Sequence, residues 1–205
     1  MRENKVLHVY YGERLVGTMA LTESKKAAFE YAYDELKKEN VQDKVTLFYN
    51  DYDTYFSVDD ELALISYINE GEEAKICGGI GMQSHVDIKR PTIEEYGNAL
   101  KAFINAGLEV QITELDITIN FDTDDTDGRT PTYAYKNEKE TDADQAAFTK
   151  DFIKQIVDIQ KNRDKTISPK GITGITVWGI SDQTSWRGSC KPLFFTRKNV
   201  RVKDE

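Results

Sequence analysis

One short segment, residues 110–117 with the sequence VQITELDI, constrains the fold more than any other part of this chain. Apolar and β-branched residues dominate it, and a short run of this kind is typical of a buried strand in a parallel sheet. Two carboxylates, Glu114 and Asp116, lie near its carboxyl end. Because they are two residues apart, a strand directs both side chains to the same face. Carboxylates are unfavourable in apolar surroundings unless they are paired or used chemically. The segment therefore predicts either a strand that ends in solvated acids or a functional site.

Predicted strands and amphipathic helices alternate along the rest of the chain. The strongest helix signal is the capping box formed by Thr92 and Glu95, with an apolar stripe behind it and Gly107 at the position of a helix C-cap. Alternation of this kind predicts an α/β fold with a parallel sheet covered by helices. The predicted strands are Val6–Tyr11 and residues 45–49, 74–82, 108–117 and 171–180. The predicted helices cover residues 22–40 and begin after Ser57, after Thr92 and after residue 141.

Composition and charge exclude several classes of function. The net charge of −9 makes a nucleic acid or an anionic membrane an unfavourable partner. No apolar run reaches the length of a membrane span, and the opening residues MREN do not form a signal peptide. The two cysteines, Cys77 and Cys190, are too few for a disulfide scaffold and lack metal-ligand spacing with His8 and His85. We expect Cys77 to be a buried free thiol. Neither a dinucleotide fingerprint nor a Walker loop occurs, so no cofactor is expected.

Unusual polar clusters follow several predicted strands. Sites in parallel α/β proteins form at the carboxyl ends of the strands, so we expect these clusters to meet. Carboxylates and amides bind sugar hydroxyls, and indole faces stack on pyranose rings, so the mixture of residue types favours a carbohydrate site. The clusters are residues 50–52 (NDY), residues 83–85 (QSH), Glu114 with Asp116, and Trp178 with Trp186 and Arg187.

Other interpretations of the same residues remain open at this point. Ser84 and His85 could act as nucleophile and base, although successive residues of a strand point to opposite faces, which weakens that pairing. His85 could instead join Glu114 and Asp116 as ligands of a metal ion. Trp178 lies in an apolar segment and could be a core residue, while Arg187 could pair with surface acids.

At these residues the chain resembles the catalytic barrel of glycoside hydrolase family 10, whose members are chiefly endo-1,4-β-xylanases. The matching segments occur in the family's order and at family-like spacing over roughly residues 25–196. Each segment alone is moderately specific, and together they are highly specific. They are LFYNDYD (47–53), GGIGMQSHV (78–86), VQITELDI (110–117), VWGISDQTSWR (177–187) and PLFF (192–195).

The resemblance implies a (β/α)8 TIM barrel, of which this chain carries strands five to eight with their helices. It implies hydrolysis of internal β-1,4-xylosidic bonds in xylan by a retaining mechanism, without metal or cofactor, by a secreted enzyme. Such a mechanism uses two carboxyl groups about 5–5.5 Å apart. By motif position Glu114 is the nucleophile, and His85 contacts both Glu114 and Asp116. The motif positions that bind substrate are Tyr49, Asn50, Gln83, Trp178, Trp186 and Arg187.

The acid/base glutamate of the family, which follows an asparagine at the end of strand four, has no clear counterpart. The pair Asn69-Glu70 ends a predicted helix, so it would lie at the wrong end of a barrel. The pair Asn137-Glu138 lies in a long acidic loop. Glu13 follows the strand Val6–Tyr11 and is a weak candidate, since a general acid must first be positioned. The expected division is therefore a divergent or leftover segment, residues 1–21, and a partial catalytic domain, residues 22–205.

A partial barrel has consequences for partners and activity. Four or five parallel strands do not close a barrel of this type, and their unpaired apolar edges favour association. We therefore expect a complementary half-barrel, a longer parent enzyme or self-association. Two alternative functions stay open: a non-catalytic xylan-binding half-barrel, and a glycosidase for another β-1,4-glycan.

Overall fold

The computed structural model describes residues 6–11, 14–119, 140–197 and 200–202. Within these ranges the helices are α1 (Leu21–Lys38), α2 (Val58–Asn69), α3 (Ile93–Asn105) and α4 (Asp142–Asn162). The strands are β1 (Val6–Tyr11), β2 (Arg14–Ala20), β3 (Phe48–Asp51), β4 (Gly79–Met82), β5 (His85–Asp87), β6 (Glu109–Thr118), β7 (Ile172–Val177), β8 (Phe195–Arg197) and β9 (Val200–Val202). None of these helices is both long and apolar enough to cross a membrane.

The chain divides into two compact units, of which the first comprises Met1–Tyr49 and Asp59–Gly79. In it β1 pairs with β2 as an antiparallel hairpin that forms a two-stranded sheet of its own. The predicted strand Val6–Tyr11 is confirmed as β1. A fourth barrel strand, which an acid at Glu13 would need, is not supported by this pairing, and Glu13 itself lies outside the described residues.

The second unit comprises Asn50–Val58 and Ile80–Glu205 and holds most of the parallel sheet. The strand order is β3-β4-β6-β5, and β7 also pairs with β6. β5 pairs with β6 in parallel, and so does β7. Because β4 and β5 are successive pieces along one strand path, the sheet has four strand positions, the number that the family resemblance implies.

Strand boundaries differ from the predicted ones for local reasons. The segment before β4 is apolar, yet Asn69 at the end of α2 binds both the amide and the carbonyl of Cys77 and keeps it out of the ladder. Gly179, with φ 138°, ends the extended segment after β7 earlier than predicted. The separate strand β5 and the hairpin of β8 with β9 were not predicted.

Two helices of the second unit bury the apolar stripes that the sequence indicates. The ring of Tyr96 on α3 lies 4.4 Å from that of Phe152 on α4, measured between centroids. A Cβ on Gly97 would overlap the end of the Gln155 side chain, so this glycine leaves room for that amide against α3. Full burial of one large apolar side chain contributes about 1.5–3 kcal/mol. The buried stripe on α3 consists of Tyr96, Ala99, Leu100, Phe103 and Ile104.

The two ends of α3 and the state of the Cys77 thiol also agree with the predictions from the sequence. Thr92 and Glu95 form the predicted capping box, and Gly107, with φ 74°, follows the end of α3. Cys77 and Cys190 are buried free thiols. Burial raises the pKa of the Cys77 thiol to about 11, so it is protonated and unreactive at neutral pH.

Candidate active site

Glu114 lies where the regular alternation of β6 breaks. The register between β6 and β7 shifts between Ile112 and Leu115, so Thr113 and Glu114 both reach the same neighbour. That neighbour is Asn50, whose Nδ2 donates to Glu114 Oε1 at 3.3 Å. The side chain of Glu114 is 16% exposed, which leaves the carboxylate accessible from one side.

The amide of Asn50 is oriented from two sides. Thr113 Oγ1 donates to Asn50 Oδ1 at 2.7 Å, which turns the Nδ2 group toward Glu114. Gly81 on β4 lies against Asn50, and a Cβ at that position would clash with the amide. Glycine in a strand permits a close approach, and here it admits a side chain that contacts Glu114.

His85 lies between the two carboxylates of β6. Its Nε2 is 3.4 Å from Glu114 Oε2, and its Nδ1 is 3.0 Å from Asp116 Oδ2. The register of β5 with β6, which pairs His85 with Asp116, places the imidazole there. Glu114 and Asp116 therefore approach the same ring, as their spacing of two residues predicts.

Asp116 is fully buried, accepts hydrogen bonds from two side chains and lies beside a third. Arg187 Nη1 donates to Oδ1 at 2.6 Å, and Trp186 Nε1 donates to Oδ2 at 3.1 Å, beside the imidazole of His85. Arg187 is itself only 4% exposed, so the interpretation of this residue as a surface ion pair is wrong. A buried charge needs such partners, because uncompensated desolvation is costly.

Two indoles flank His85 while remaining open to solvent. The rings of Trp178 and Trp186 are 6.5 and 5.0 Å from the imidazole, both in edge-to-face geometry. Trp178 is 46% and Trp186 is 52% exposed, so the interpretation of Trp178 as a core residue is wrong. Exposed indole faces beside a carboxylate suit a sugar ring.

The remaining predicted substrate residues have different surroundings. Gln83 is half-buried, and its carbonyl accepts from the amide of Glu114 at 3.0 Å. Tyr49 belongs to the first unit, where its hydroxyl accepts from Lys25, whose ammonium also lies 4.4 Å from the ring centroid. Substrate contacts of Gln83 and Tyr49 stay predictions.

A model of one enzyme family, described as Glycosyl hydrolase family 10, matches residues 23–203 of this sequence. The chain belongs to glycosyl hydrolase family 10. Relatives and solved structures agree with this assignment. Endo-1,4-beta-xylanase A of Butyrivibrio fibrisolvens is 40% identical over 175 residues, which are 85% of this chain and 36% of that protein. Endo-1,4-beta-xylanase A of Xylanibacter ruminicola is 32% identical over 149 residues, which are 68% of this chain and 38% of that protein.

Solved family 10 structures share the fold. The CBM22-1 and GH10 modules of a Clostridium thermocellum endo-1,4-beta-D-xylanase, complexed with xylohexaose, align with a TM-score of 0.66 at 28% identity, over 88% of this chain and 31% of theirs. A GH10 endoxylanase from a sugarcane soil metagenome aligns with a TM-score of 0.64 at 26% identity, over 87% of this chain and 50% of its own. The chain thus spans about a third of the length of the two curated relatives. It carries part of the family's (β/α)8 barrel, as predicted.

The family's second carboxylic acid is not identified among the described residues. Asn69 of the pair Asn69-Glu70 binds Ile65 and Cys77 at the end of α2, which is a structural role. The candidates Glu13, Asn137 and Glu138 lie outside the described residues. Asp116 is an unsuitable acid because it is fully buried and bound to Arg187. Over the part of the chain that the structure describes, no group of three or more His, Cys, Asp or Glu side chains is arranged to hold a metal ion.

Sequence reasoning missed several residues that hold this site in place. Thr113 lies inside the segment VQITELDI (110–117), but regular alternation along a strand would place its side chain on the face opposite Glu114. Tyr55 has no motif signal, and its hydroxyl lies 3.3 Å from the carbonyl of His85. Ser84 and Tyr96 are joined by their hydroxyl groups, a contact that only the packing of α3 on the sheet creates.

Proposed function

We propose that this chain contributes the nucleophile side of a xylanase active site, which hydrolyses internal β-1,4-xylosidic bonds in xylan with retention of configuration. The observation that carries the proposal is the placement of His85 between Glu114 and Asp116, with Asn50 on the other oxygen of Glu114. An accessible carboxylate held on both oxygens is what a nucleophile requires. Membership of family 10 supports the same chemistry.

In the proposed mechanism Glu114 attacks the anomeric carbon of a xylosyl unit. The bond from that carbon to the leaving oxygen breaks while a second carboxylic acid protonates the oxygen. A glycosyl ester on Glu114 forms, and water then hydrolyses it. Asn50 and His85 restrict the carboxylate to one orientation, and such positioning lowers the entropic barrier to attack.

Asp116 and Arg187 act behind the nucleophile in this proposal. Arg187 neutralises the buried Asp116, and Asp116 in turn fixes the imidazole of His85 through Nδ1. In this proposal Arg187 acts through Asp116 and not on the sugar itself, which refines the substrate-binding role expected from its motif position. Trp178 and Trp186 supply the faces on which xylosyl rings stack, and Gln83, Asn50 and Tyr49 supply polar contacts.

Turnover and binding can be separated with two substrates. We expect the full chain to release dinitrophenol from dinitrophenyl β-xylobioside, because a good leaving group needs little help from a general acid. We also expect retention on a xylan affinity gel but not on a cellulose gel. Retention on xylan without release of dinitrophenol contradicts the catalytic proposal and supports a xylan-binding half-barrel. Equal retention on both gels contradicts xylan specificity and supports a glycosidase for another β-1,4-glycan.

We also propose that the exposed side of β7 associates with further strands, either those of a complementary half-barrel or those of a second copy. In the described ranges β7 pairs only with β6. Residues 171–181 (GITGITVWGIS) carry no charge, and Ile175 and Ile180 are 41% and 66% exposed. Uncharged, β-branched edges without lysine or proline are prone to pair with other chains.

Size-exclusion chromatography of the purified chain tests this association. We expect an apparent mass that rises with protein concentration, and we expect Ile175→Lys to lower it because a charge on an edge strand opposes pairing. Ile167→Lys is the matched control, since Ile167 is similarly exposed, at 46%, but lies outside β7. A monomer at every concentration with one cooperative unfolding transition contradicts self-association.

Two further expectations remain proposals. Secretion follows from the family resemblance. The division into a divergent segment, residues 1–21, and a partial catalytic domain, residues 22–205, is a prediction that the boundaries of the compact units do not address.

A further inference from the structure

The strand path that carries His85 is interrupted by an irregularity at Gln83 and Ser84. The carbonyls of both residues accept from amides of β6, Glu114 N at 3.0 Å and Asp116 N at 3.4 Å. In a regular strand, successive carbonyls point toward opposite neighbours. Between these two bonds β6 advances by two residues and the path by only one, so β6 holds one extra residue opposite Ser84, which is a β-bulge.

Ser84 adopts a left-handed backbone conformation at this bulge, with φ 63°. Only glycine, and to a lesser extent asparagine and aspartate, takes up this conformation readily. A serine there needs stabilisation from its surroundings, and strained residues of this kind cluster at functional sites.

The hydroxyl of Ser84 supplies that stabilisation. Its Oγ donates to the carbonyl of Met82 at 3.0 Å and lies 2.7 Å from the hydroxyl oxygen of Tyr96. Because the serine proton is used on Met82, the Tyr96 hydroxyl donates to Ser84. Both side chains are buried, at 1% and 0% exposure, and burial raises the pKa of Tyr96, so its proton is retained.

The bulge determines which face of the sheet His85 occupies. A shift of one residue in strand register moves every following side chain to the opposite face. With the bulge, His85 pairs with Asp116 and its ring lies between Asp116 and Glu114. Without the bulge, the imidazole would leave the face that carries both carboxylates.

We propose that Ser84 and Tyr96 are positioning residues, whose paired hydroxyls lock the bulge that holds the imidazole of His85 between Glu114 and Asp116. The catalytic consequence rests on the proposed function, whereas the placement of His85 rests on the contacts alone. The first effect is therefore measurable without any turnover.

Nuclear magnetic resonance of the full chain tests the placement. The sequence has two histidines, so a His8→Gln variant assigns the imidazole signals of His85. We expect Ser84→Ala and Tyr96→Phe to shift the His85 imidazole nitrogen signals and to remove the cross-peak between the rings of His85 and Trp186, whose centroids are 5.0 Å apart. Tyr96→Phe retains the ring that packs on Phe152, so this variant should stay folded. It therefore tests the placement of His85 even if Ser84→Ala fails to fold.

Ser168→Ala is the matched control. Ser168 is 2% exposed, and its hydroxyl donates to Leu108 O at 3.0 Å and accepts from Gly171 N at 3.2 Å, away from His85. This variant loses a buried serine hydroxyl without touching the bulge. If the Ser84 and Tyr96 variants leave the His85 signals as Ser168→Ala leaves them, the proposal is overturned.

Kinetics on dinitrophenyl β-xylobioside test the consequence. We expect both variants to lower kcat about a hundredfold with little change in KM, the effect of misplacing a reacting group by about 1 Å. Displaced His85 signals with unchanged kcat overturn the catalytic part of the proposal. If the unaltered chain has no turnover but the variants displace the His85 signals, the positioning role is supported and the proposed function is contradicted. The two failures are therefore distinguishable.

Discussion

Replacing Glu114 with alanine is expected to abolish release of dinitrophenol from dinitrophenyl β-xylobioside, with kcat lower by on the order of 10⁴-fold or more. The good leaving group removes the need for a general acid, so the assay reports the nucleophile alone. Added azide should restore part of the turnover, because the small anion fits the space that the carboxylate vacates. The expected product is the α-xylobiosyl azide, since attack then occurs once, with inversion, from the side that Glu114 occupied.

Two variants sharpen this prediction. Glu114→Gln retains the shape of the side chain, so it should be equally inactive and should gain nothing from azide. Glu109→Ala removes another glutamate of β6, one that pairs with Lys170 at the opposite end of the strand, and should keep the turnover of the unaltered chain. Turnover that survives in Glu114→Ala, or azide rescue that yields the β-anomer, would contradict the role of Glu114.

The largest loss of stability is expected from Asp116→Ala. This change leaves the guanidinium of Arg187 buried without its carboxylate, and removal of one partner of a buried ion pair costs about 3–5 kcal/mol. Chemical denaturation monitored by tryptophan fluorescence should show a corresponding fall in the free energy of unfolding. His85 also loses the carboxylate beside Nδ1, so kcat should fall in the same variant.

A double variant separates the charge from the packing. Asp116→Leu combined with Arg187→Met removes both charges and retains side-chain volume, so it should be more stable than Asp116→Ala alone. Asp158→Asn is the control, because the pair of Asp158 with Lys154 lies on the exposed face of α4 and surface pairs contribute little. A double variant that is less stable than Asp116→Ala would contradict the importance of the buried charge.

The elements of the fold were predictable where local patterns act alone. Periodicity predicts the apolar stripe of α3 with its capping box, and it predicts the strand β6. The spacing of two residues predicts that Glu114 and Asp116 approach the same side of β6. The same holds for the convergence of residues near positions 50, 85 and 114, because parallel strands bring their carboxyl ends to one edge. Membership of the family was also readable from motif order.

What the sequence could not provide depends on irregular backbone. Thr113 faces Asn50 only because β6 breaks its alternation, and the hydroxyl pair of Ser84 with Tyr96 exists only because of a bulge and the packing of α3. Neither Thr113 nor Ser84 is a glycine or proline, so the sequence carries no signal of irregular backbone at these two positions. The burial of Arg187 was likewise hidden, since charge alone predicts a surface position.

The two ends of the segment between β6 and α4 are fixed independently of each other. Ile119 N donates to the carbonyl of Cys190 at 3.0 Å, while Thr141 closes a capping box with Asp144 at the start of α4. Neither anchor draws on residues 120–139. Insertions, deletions and substitutions in residues 120–139 can therefore accumulate without removing the contacts that fix the end of β6 and the start of α4.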